Sequence, residues 1–185
     1  MPAITNCIVS GNTAKGDGGG IFNISDGKTT LTPLTLTNCT VSGNTASGGY
    51  GDGGGGIFNY NDGKTTVAKR TVSGNTGERG GGMLTLRNSI FYGDTGGEIA
   101  NDTGTVSIRF SDIQGGYPGT SNIDKDPLFV NASSGDLHLK PGSPCLGGGT
   151  SNGAPPTDLD GNPRPKPPSI GAYELVISTL DILHK

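Results

Sequence analysis

The sequence predicts an all-β protein that folds as a parallel β-helix, a solenoid of about five coils, with an irregular C-terminal cap. The first observation behind this prediction is an internal repeat. The motif Asn-Cys-x-Val-Ser-Gly-Asn-Thr-Ala occurs at 6–14 and again at 38–46, and degenerate copies follow at 71–76 and 89–95. The second observation is an alternation of apolar and polar residues with a period of two, which is typical of short strands.

Matching positions in the copies give the length of each coil. Val41 follows Val9 by 32 positions, Val72 follows Val41 by 31, and Phe91 follows Val72 by 19. Steps of about 20–50 residues indicate a solenoid or a similar array. Glycine triplets and alternating threonines form helices poorly, so an array of helices is excluded.

Within one coil, the alternation predicts which side chains face the core. Leu34 and Leu36 face inward, and the threonines between and after them face outward. After a bend at Asn38, Cys39 and Val41 face inward again. A later segment of the coil, entered through glycines that allow tight packing, supplies another strand at 21–22 and 57–58.

Two sets of polar residues recur at fixed places in the coils. One bend holds the residues Asn12, Asn44, Asn75 and Asp94, which we expect to form a hydrogen-bonded ladder. Cys7 and Cys39 also share a register. We interpret them as small buried residues, and a disulfide between coils is the alternative, because three cysteines do not define a disulfide framework.

Composition limits the classes of protein to consider. A chain of 185 residues fits one domain, divided here into coils at 1–140, a Pro- and Gly-rich cap at 141–174 that wraps the C-terminal end, and an apolar tail at 175–185. The net charge of −3 does not indicate the basic surface that nucleic-acid-binding proteins have. No run approaches the ~20 apolar residues of a membrane span. The chain starts within the repeat and has no signal peptide, so we expect a fragment, and a natural solenoid without an N-terminal cap is the alternative. In either case we expect the open first coil to associate end to end.

The second half of the chain carries a resemblance to a known family. Its motifs are Ser-Asp-Ile-Gln-Gly-Gly at 111–116, Asp-Pro-Leu-Phe-Val at 126–130, Gly-Asp-Leu-His-Leu-Lys at 135–140, Asp-Leu-Asp-Gly-Asn-Pro-Arg-Pro at 158–165 and Ile-Gly-Ala-Tyr-Glu at 170–174. They resemble the ending of bacterial β-helix surface proteins of the choice-of-anchor Q type. The repeats, with Gly-Gly-x-Ile and Asn-Thr, are similar to the polymorphic outer-membrane-protein type. The resemblance implies a right-handed parallel β-helix on a secreted or cell-surface protein, and little about activity.

Alignment of the strands by their inward leucines predicts three outward columns. The first contains Thr5, Thr37, Ala68, Arg87, Arg109 and Lys140. The second contains Thr35, Thr66, Thr85, Ser107 and His138, and the third contains Thr40, Thr71, Ile90 and Asp112. The last coils therefore present a candidate substrate-binding strip of Arg87, Arg109, His138 and Lys140, with Asp112 close by.

A cationic strip on an exposed sheet face suits an acidic polysaccharide. We expect a structural or binding module, and ordinary solvated charges are the simplest alternative. A pectate-lyase-like polysaccharide lyase or a glycoside hydrolase is the competing class, with Arg or Lys as base and calcium as the one cofactor left open, although one nearby carboxylate is few for a calcium site. Outward threonines such as Thr35 and Thr37 also leave ice binding open. No catalytic residue is assigned.

Other motifs predict structure rather than chemistry. The segment 158–162 resembles the start of a calcium loop, but its glycine is displaced and the closing position is Ser169, so we interpret it as a turn of the cap. Asp124 and Asp126 are expected to form turns. His138 and His184 lack metal-ligand spacing. Ser143 lacks the pattern of a nucleophile.

Overall fold

The computed structural model describes residues 3–16, 18–24, 34–47, 55–60, 64–75, 83–95 and 105–176. These ranges are all-β, and their only helical element is a 3-10 turn at Ala132–Ser134. The strands are Ala3–Thr5 (β1), Ile8–Ser10 (β2), Thr13–Ala14 (β3), Ile21–Ile24 (β4), Leu34–Ser42 (β5), Thr45–Ala46 (β6), Ile57–Tyr60 (β7), Lys64–Ser73 (β8), Met83–Arg87 (β9), Ile90–Tyr92 (β10), Val106–Arg109 (β11), Asp112–Ile113 (β12), Phe129–Asn131 (β13) and Asp136–Leu139 (β14).

The largest sheet has eight strands, and all of its pairs are parallel. Strands β1 and β2 both pair with β5, β5 pairs with β8, and β8 pairs with both β9 and β10. Strand β11 extends the sheet beyond β9, and β12 extends it beyond β10. Two smaller parallel pairs, β3–β6 and β4–β7, lie elsewhere in the repeats. The predicted all-β class with parallel pairing is confirmed.

The large sheet aligns two series of residues, one before and one after a bend in the chain, and both series have the same spacing in sequence. Before the bend, the aligned residues are Ile4, Leu36, Val67, Leu86 and Ile108. After it, they are Val9, Val41, Val72, Phe91 and Ile113. Both series advance by 32, then 31, then 19 and finally 22 positions. The three sequence steps between repeats that were predicted from the sequence, 32, 31 and 19, are therefore confirmed.

The bend places a residue in the left-handed region, where asparagine is favoured over most side chains. Asn6, Asn38 and Asn88 have φ of 51°, 54° and 52° at this place, and Phe110 has φ of 52° in the last repeat. The asparagine ladder at the second bend is also confirmed. The backbone N–H and Nδ2 of Asn44 donate to Oδ1 of Asn75, each at 2.9 Å.

The same pattern links Asn12 to Asn44 and Asn75 to Asp94, so every link of the ladder donates toward the later repeat.

The main hydrophobic core lies on one face of the large sheet. Its buried members are Ile21, Leu36, Val41, Val72, Leu86, Phe91, Ile108 and Ile113. The segment 117–123 covers the last strands: Phe110 N donates to Thr120 O, and Ile123 pairs with Asp112. Tyr117 packs against the core from this segment. These residues protect the strand edge that the last repeat would otherwise expose.

The segment after residue 140 packs against the opposite face of the sheet. Ala172 N donates to Thr71 Oγ1 at 3.4 Å, and Gly171 N donates to Asn88 O at 2.9 Å. A second hydrophobic cluster results, and its buried members are Ile90, Phe129, Leu137, Leu139, Cys145, Ile170, Ala172 and Tyr173. The sheet is therefore packed on both faces along the third predicted column. The boundaries at 140 and 174 themselves stay a prediction.

Gly171 is the point of closest approach between this segment and the sheet. Its φ is +101°, and a Cβ added there would lie 2.7 Å from Ile90 Cδ1 and 3.2 Å from Thr71 Oγ1. Gly142 also has a positive φ, +88°, but a Cβ there would meet nothing within 4 Å.

We therefore expect Gly142→Ala to cost about 1 kcal/mol of the free energy of unfolding, from backbone strain alone. Gly171→Ala should cost about 2 kcal/mol more, because the methyl group also forces the segment away from Ile90. Urea unfolding of the two variants measures the difference. Equal losses would contradict the close packing of this segment.

Some predicted features fall outside the described residues. These include the tail beyond residue 176 and His184. Among the described residues, no helix has the length and hydropathy needed to cross a membrane.

Candidate functional site

The strongest candidate site is a partly exposed face of the large sheet at its last repeats. Arg109 on β11 is paired in register with Arg87 on β9, and Arg87 with Ala68 on β8. The same column continues through Thr37 to Thr5. The five members of the first predicted column that lie on parallel strands are thus aligned as expected.

A second column of aligned residues, all threonine or serine, lies next to the arginine column. Its aligned residues are Thr35, Thr66, Thr85 and Ser107. We call the surface formed by Arg87, Arg109, Thr85 and Ser107 the arginine face. Neighbouring strands are ~4.8 Å apart, so the two guanidinium groups start from adjacent positions and concentrate positive charge.

The two arginines differ in their surroundings. Arg109 is exposed, whereas Arg87 is half-buried, and its Nη1 donates to Asn152 O at 3.4 Å. Gly153 lies next to the same guanidinium. The C-terminal segment, which packs on the sheet after the bend, therefore also borders the arginine face and holds the Arg87 side chain in place.

Asp112 does not belong to this surface, and its expected place in an accessible strip is wrong. It is aligned with Ile90 as predicted, but its exposure is 0% because the C-terminal segment covers that column. Its Oδ1 accepts a hydrogen bond from Lys125 N at 3.1 Å, and its Oδ2 accepts one from Cys145 Sγ at 3.2 Å. Burial raises the pKa of this carboxyl, and the two hydrogen bonds oppose that rise only in part. A ligand on the arginine face cannot reach it.

His138 and Lys140 are also not members of the outward columns. Strand β14, which carries His138, pairs antiparallel with β13, and the short 3-10 turn between them makes a hairpin. The parallel register that aligns Arg87 with Arg109 therefore does not extend to either residue. Lys140 follows the strand, is exposed, and donates its backbone N–H to Leu128 O.

His138 instead bridges two parts of the C-terminal half. Its Nδ1 lies 2.6 Å from Asp136 Oδ1, and its Nε2 lies 2.7 Å from Asp160 Oδ2. Its ring stacks on Tyr173, with 4.0 Å between the ring centroids. We call these four residues the histidine clasp, because they join the β13–β14 hairpin to the turn at 158–162.

The clasp shifts the pKa of its members. Burial lowers the pKa of His138, but the hydrogen bonds to Asp160 and Asp136 outweigh it, and the net pKa is raised above 6.5. The hydrogen bond to His138 lowers the pKa of Asp136 below 3.8. Burial raises the pKa of Tyr173 to about 12, so its hydroxyl stays neutral across this range. The protonated imidazole between two carboxylates is the favoured state at slightly acidic pH.

This arrangement predicts a pH dependence of stability. A raised histidine pKa stabilises the folded state below pH 6.5 and loses its effect as the pH rises through the folded value. A lowered Asp136 pKa stabilises above pH 3.8 and loses its effect below the folded value. The free energy of unfolding of the wild type should therefore exceed that of His138→Gln most between pH 3.8 and 6.5. The difference should be no more than about 1 kcal/mol, because the side chains of His138, Asp136 and Asp160 are 40–47% exposed.

Thermal unfolding of both proteins across this pH range measures the difference, with Lys140→Ala as a control next to the clasp. A difference that grows above pH 6.5 would contradict the clasp.

The remaining sequence candidates have structural roles. Asp158 Oδ1 accepts the backbone N–H groups of Asp160 and Asn162, which confirms the turn at 158–162. Asp124 and Asp126 accept backbone N–H groups of Gly115 and Leu128, as turn formers do.

Ser143 Oγ donates to Pro127 O at 2.6 Å, so its hydroxyl is engaged in the fold. Within the described part of the chain, no group of three His, Cys, Asp or Glu side chains is placed to hold a metal ion.

A buried ion pair that no sequence pattern predicts lies in the same region. Arg164 Nη1 lies 2.5 Å from Glu174 Oε1, and the side chains are 2% and 4% exposed. Arg164 also donates through Nη2 to Asn38 Oδ1 at 2.8 Å, across 126 residues of sequence. A charged pair separated by ten residues in a Pro-rich segment gives no periodic signal, so only the folded structure shows it.

Comparison with protein-family models, with curated proteins and with solved structures finds no match.

Proposed function

We propose that this protein is a right-handed parallel β-helix from a secreted or cell-surface protein, and that it serves as a binding module for an acidic polysaccharide. The observation that carries the proposal is the alignment of Arg87 with Arg109 on adjacent parallel strands, where Arg109 is exposed and Arg87 is half-buried. The handedness and the extracellular location rest on the family resemblance alone.

Three features support the solenoid. Two strands of each repeat advance by the same sequence steps, although the steps differ between repeats. Two further parallel pairs, β3–β6 and β4–β7, connect corresponding segments of neighbouring repeats. The asparagine ladder links the same bend through four repeats. Each repeat contacts its neighbours in the same way, as in a solenoid.

The chemistry of the arginine face suits a linear anionic sugar chain. Arginine keeps its charge at any physiological pH and binds carboxylates with two parallel hydrogen bonds. The adjacent column supplies the hydroxyl groups of Thr85 and Ser107, which both donate and accept hydrogen bonds to sugar hydroxyls. A flat sheet face leaves room for a polymer that continues past the contact.

Binding to polygalacturonate and alginate tests the proposal, with a neutral polysaccharide as the reference ligand. We expect binding that weakens with added salt, because exposed charges are screened. The double variant Arg87→Ala/Arg109→Ala should weaken binding at least about tenfold, which corresponds to ~1.4 kcal/mol.

The matched control is Lys125→Ala/Lys140→Ala, which removes the same charge from exposed positions outside the arginine face. Equal weakening by both double variants would show a nonspecific charge effect and contradict the site. If the wild-type protein binds neither acidic polymer, the binding proposal fails and a purely structural role remains.

The same assay separates binding from catalysis. A polysaccharide lyase creates an unsaturated product that absorbs ultraviolet light, and its formation is followed with and without calcium. Product that disappears in Arg109→Ala would support the lyase alternative over the binding module.

Two further expectations belong to this proposal. The described strands β1 and β2 lie at one edge of the large sheet, which supports end-to-end association of the repeats. A monomeric mass by light scattering at high concentration would contradict it. The predicted outward threonines on which ice binding would depend include Thr35, Thr37, Thr40 and Thr71. Thr35 and Thr37 are half-buried, whereas Thr40 and Thr71 are buried, and an absence of thermal hysteresis would exclude that alternative.

A further inference from the structure

Cys7 and Cys39 occupy the same place in the first two repeats. Each follows an asparagine of the bend, and Asn38 Nδ2 donates to Asn6 Oδ1 at 2.8 Å. The register advances by the same step of 32 positions on both sides, which places the two cysteines side by side, and Thr40 N donates to Cys7 O at 2.9 Å. Neighbouring parallel strands are ~4.8 Å apart, within the Cα separation of about 4.4–6.8 Å that disulfides need.

The two thiols are also oriented alike. Cys7 Sγ donates to Thr5 O at 3.0 Å, and Cys39 Sγ donates to Thr37 O at 3.2 Å. Each sulfur therefore contacts the carbonyl group two residues earlier in its own strand. Because the two strands are parallel and in register, the thiols lie on the same side of the sheet and face the same interior.

The third repeat has Arg70 at this place, and the next two repeats have serine. Ser89 Oγ donates to Arg87 O at 2.9 Å, and Ser111 Oγ donates to Arg109 O at 3.0 Å. A hydroxyl group makes this hydrogen bond better than a thiol, because S–H is a weak donor. The hydrogen bond therefore does not require sulfur. Among the repeats, cysteine occupies this position only in the first two, which are neighbours.

The accessibility of the three cysteines differs. Cys7 is half-buried and reachable from solvent, whereas Cys39 is 1% exposed. Cys145 is 0% exposed and donates to Asp112 in the second hydrophobic cluster, on the opposite face of the sheet. Cys7 is the thiol that an oxidant meets first, and Cys39 is the thiol beside it.

We propose that Cys7 and Cys39 are a redox-sensitive pair that forms a disulfide between the first two repeats in the presence of a low-molecular-weight disulfide. In the first step the Cys7 thiolate attacks one sulfur of oxidised glutathione, which forms a mixed disulfide and releases one glutathione thiolate. In the second step the Cys39 thiolate attacks the Cys7 sulfur, which forms the protein disulfide and releases the second glutathione thiolate. Two protein thiols are oxidised and one glutathione disulfide is reduced.

A disulfide between Cys7 and Cys39 would link the edge of the large sheet covalently to the second repeat. Strands β1 and β2 lie at the edge of the eight-stranded sheet, and Ile8 beside Cys7 is 64% exposed. A bond between the two repeats holds this edge strand to β5 and removes conformational freedom from the unfolded chain. For a closed loop of this length we expect the melting temperature to rise by about 10 °C on oxidation.

The test treats the folded protein with oxidised glutathione, quenches it with acid, and digests it with trypsin. We expect the peptide 1–15 joined to the peptide 29–64, and an intact mass lowered by two hydrogens. The melting temperature should rise in wild type and return to its starting value with a reducing agent. In Cys39→Ser, Cys7 should stop at the mixed disulfide, and oxidation should not raise the melting temperature.

Cys7→Ser provides a second variant if Cys39→Ser does not fold, because its side chain is only half-buried; it should form no disulfide under the same conditions. Stable glutathione on Cys7 of folded wild type, without the link to Cys39, would overturn the proposal. A link to Cys145, or a link between two molecules, would also overturn it. The outcome does not depend on polysaccharide binding.

Discussion

Replacing Arg164 with alanine should lower the free energy of unfolding by about 3–5 kcal/mol, because it leaves a buried carboxylate without its counter-charge. Glu174 is 5% exposed and lies against Arg164 Nη1 at 2.5 Å. Its carboxylate also accepts hydrogen bonds from the backbone N–H and hydroxyl of Ser169. Those donors do not replace the guanidinium, so the charge would remain buried and incompletely compensated.

The loss should be large also because Arg164 joins distant parts of the chain. Its Nη2 donates to Asn38 Oδ1 at the bend of β5 and to Ala172 O in the covering segment. Its Nε donates to Thr157 O. Removing the side chain therefore breaks one contact between the segment and the sheet and also leaves Glu174 without its counter-charge.

Urea unfolding measures the effect, and Lys166→Ala is the control, since it removes an exposed positive charge two residues away. The double variant Arg164→Met/Glu174→Leu should regain much of the loss, because neither charge is then buried alone. An Arg164→Ala loss below about 1 kcal/mol would contradict the role of the pair.

Asn75→Ala should cost about 3 kcal/mol, the second largest effect we predict, because each buried polar group that it leaves without a partner costs about 1–3 kcal/mol. Asn75 is 2% exposed, and its Oδ1 accepts both the backbone N–H and the Nδ2 of Asn44. Its own Nδ2 donates to Val41 O and to Asp94 Oδ1. Alanine removes all of these hydrogen bonds at once.

The first member of the same ladder is the matched control. Asn12 is exposed, and its side chain makes one hydrogen bond in the ladder, from Nδ2 to Asn44 Oδ1. Its backbone N–H also donates to that oxygen and remains in Asn12→Ala. We expect a loss below about 1 kcal/mol for Asn12→Ala. Chemical denaturation of both variants gives the comparison, and similar losses would show that burial in the ladder is unimportant.

The parts of the structure that follow from repetition could be predicted from sequence. Alternation with period two fixes which residues share a face, and the repeat steps fix which residues are aligned. Together they predicted the alignment of Arg87 with Arg109 and of Ile90 with Asp112, and both are present. They also predicted the asparagine ladder. Local pattern sufficed here because each contact is between neighbouring repeats.

The parts that depend on a single long-range contact could not be predicted in this way. The segment Leu137-His138-Leu139 alternates like the other strands, and alternation does not distinguish parallel from antiparallel pairing. The signal that could have shown the hairpin is the short connection from Asn131 to Asp136, which ends in Gly135 at φ +82°. Asp112 was expected to be accessible because nothing in 141–174 shows which sheet face that segment covers.

The unequal lengths of the repeats have a consequence for how such a protein can change. Aligned positions are separated by steps that range from 19 up to 32, yet both strands of each repeat keep their register. Closing the longest step instead of the shortest costs only about 0.5 kcal/mol in chain entropy. Insertions between strands are therefore nearly neutral for folding. Evolution, or an engineer, can graft new loops beside an unchanged sheet face and vary the surface around the arginines without rebuilding the scaffold.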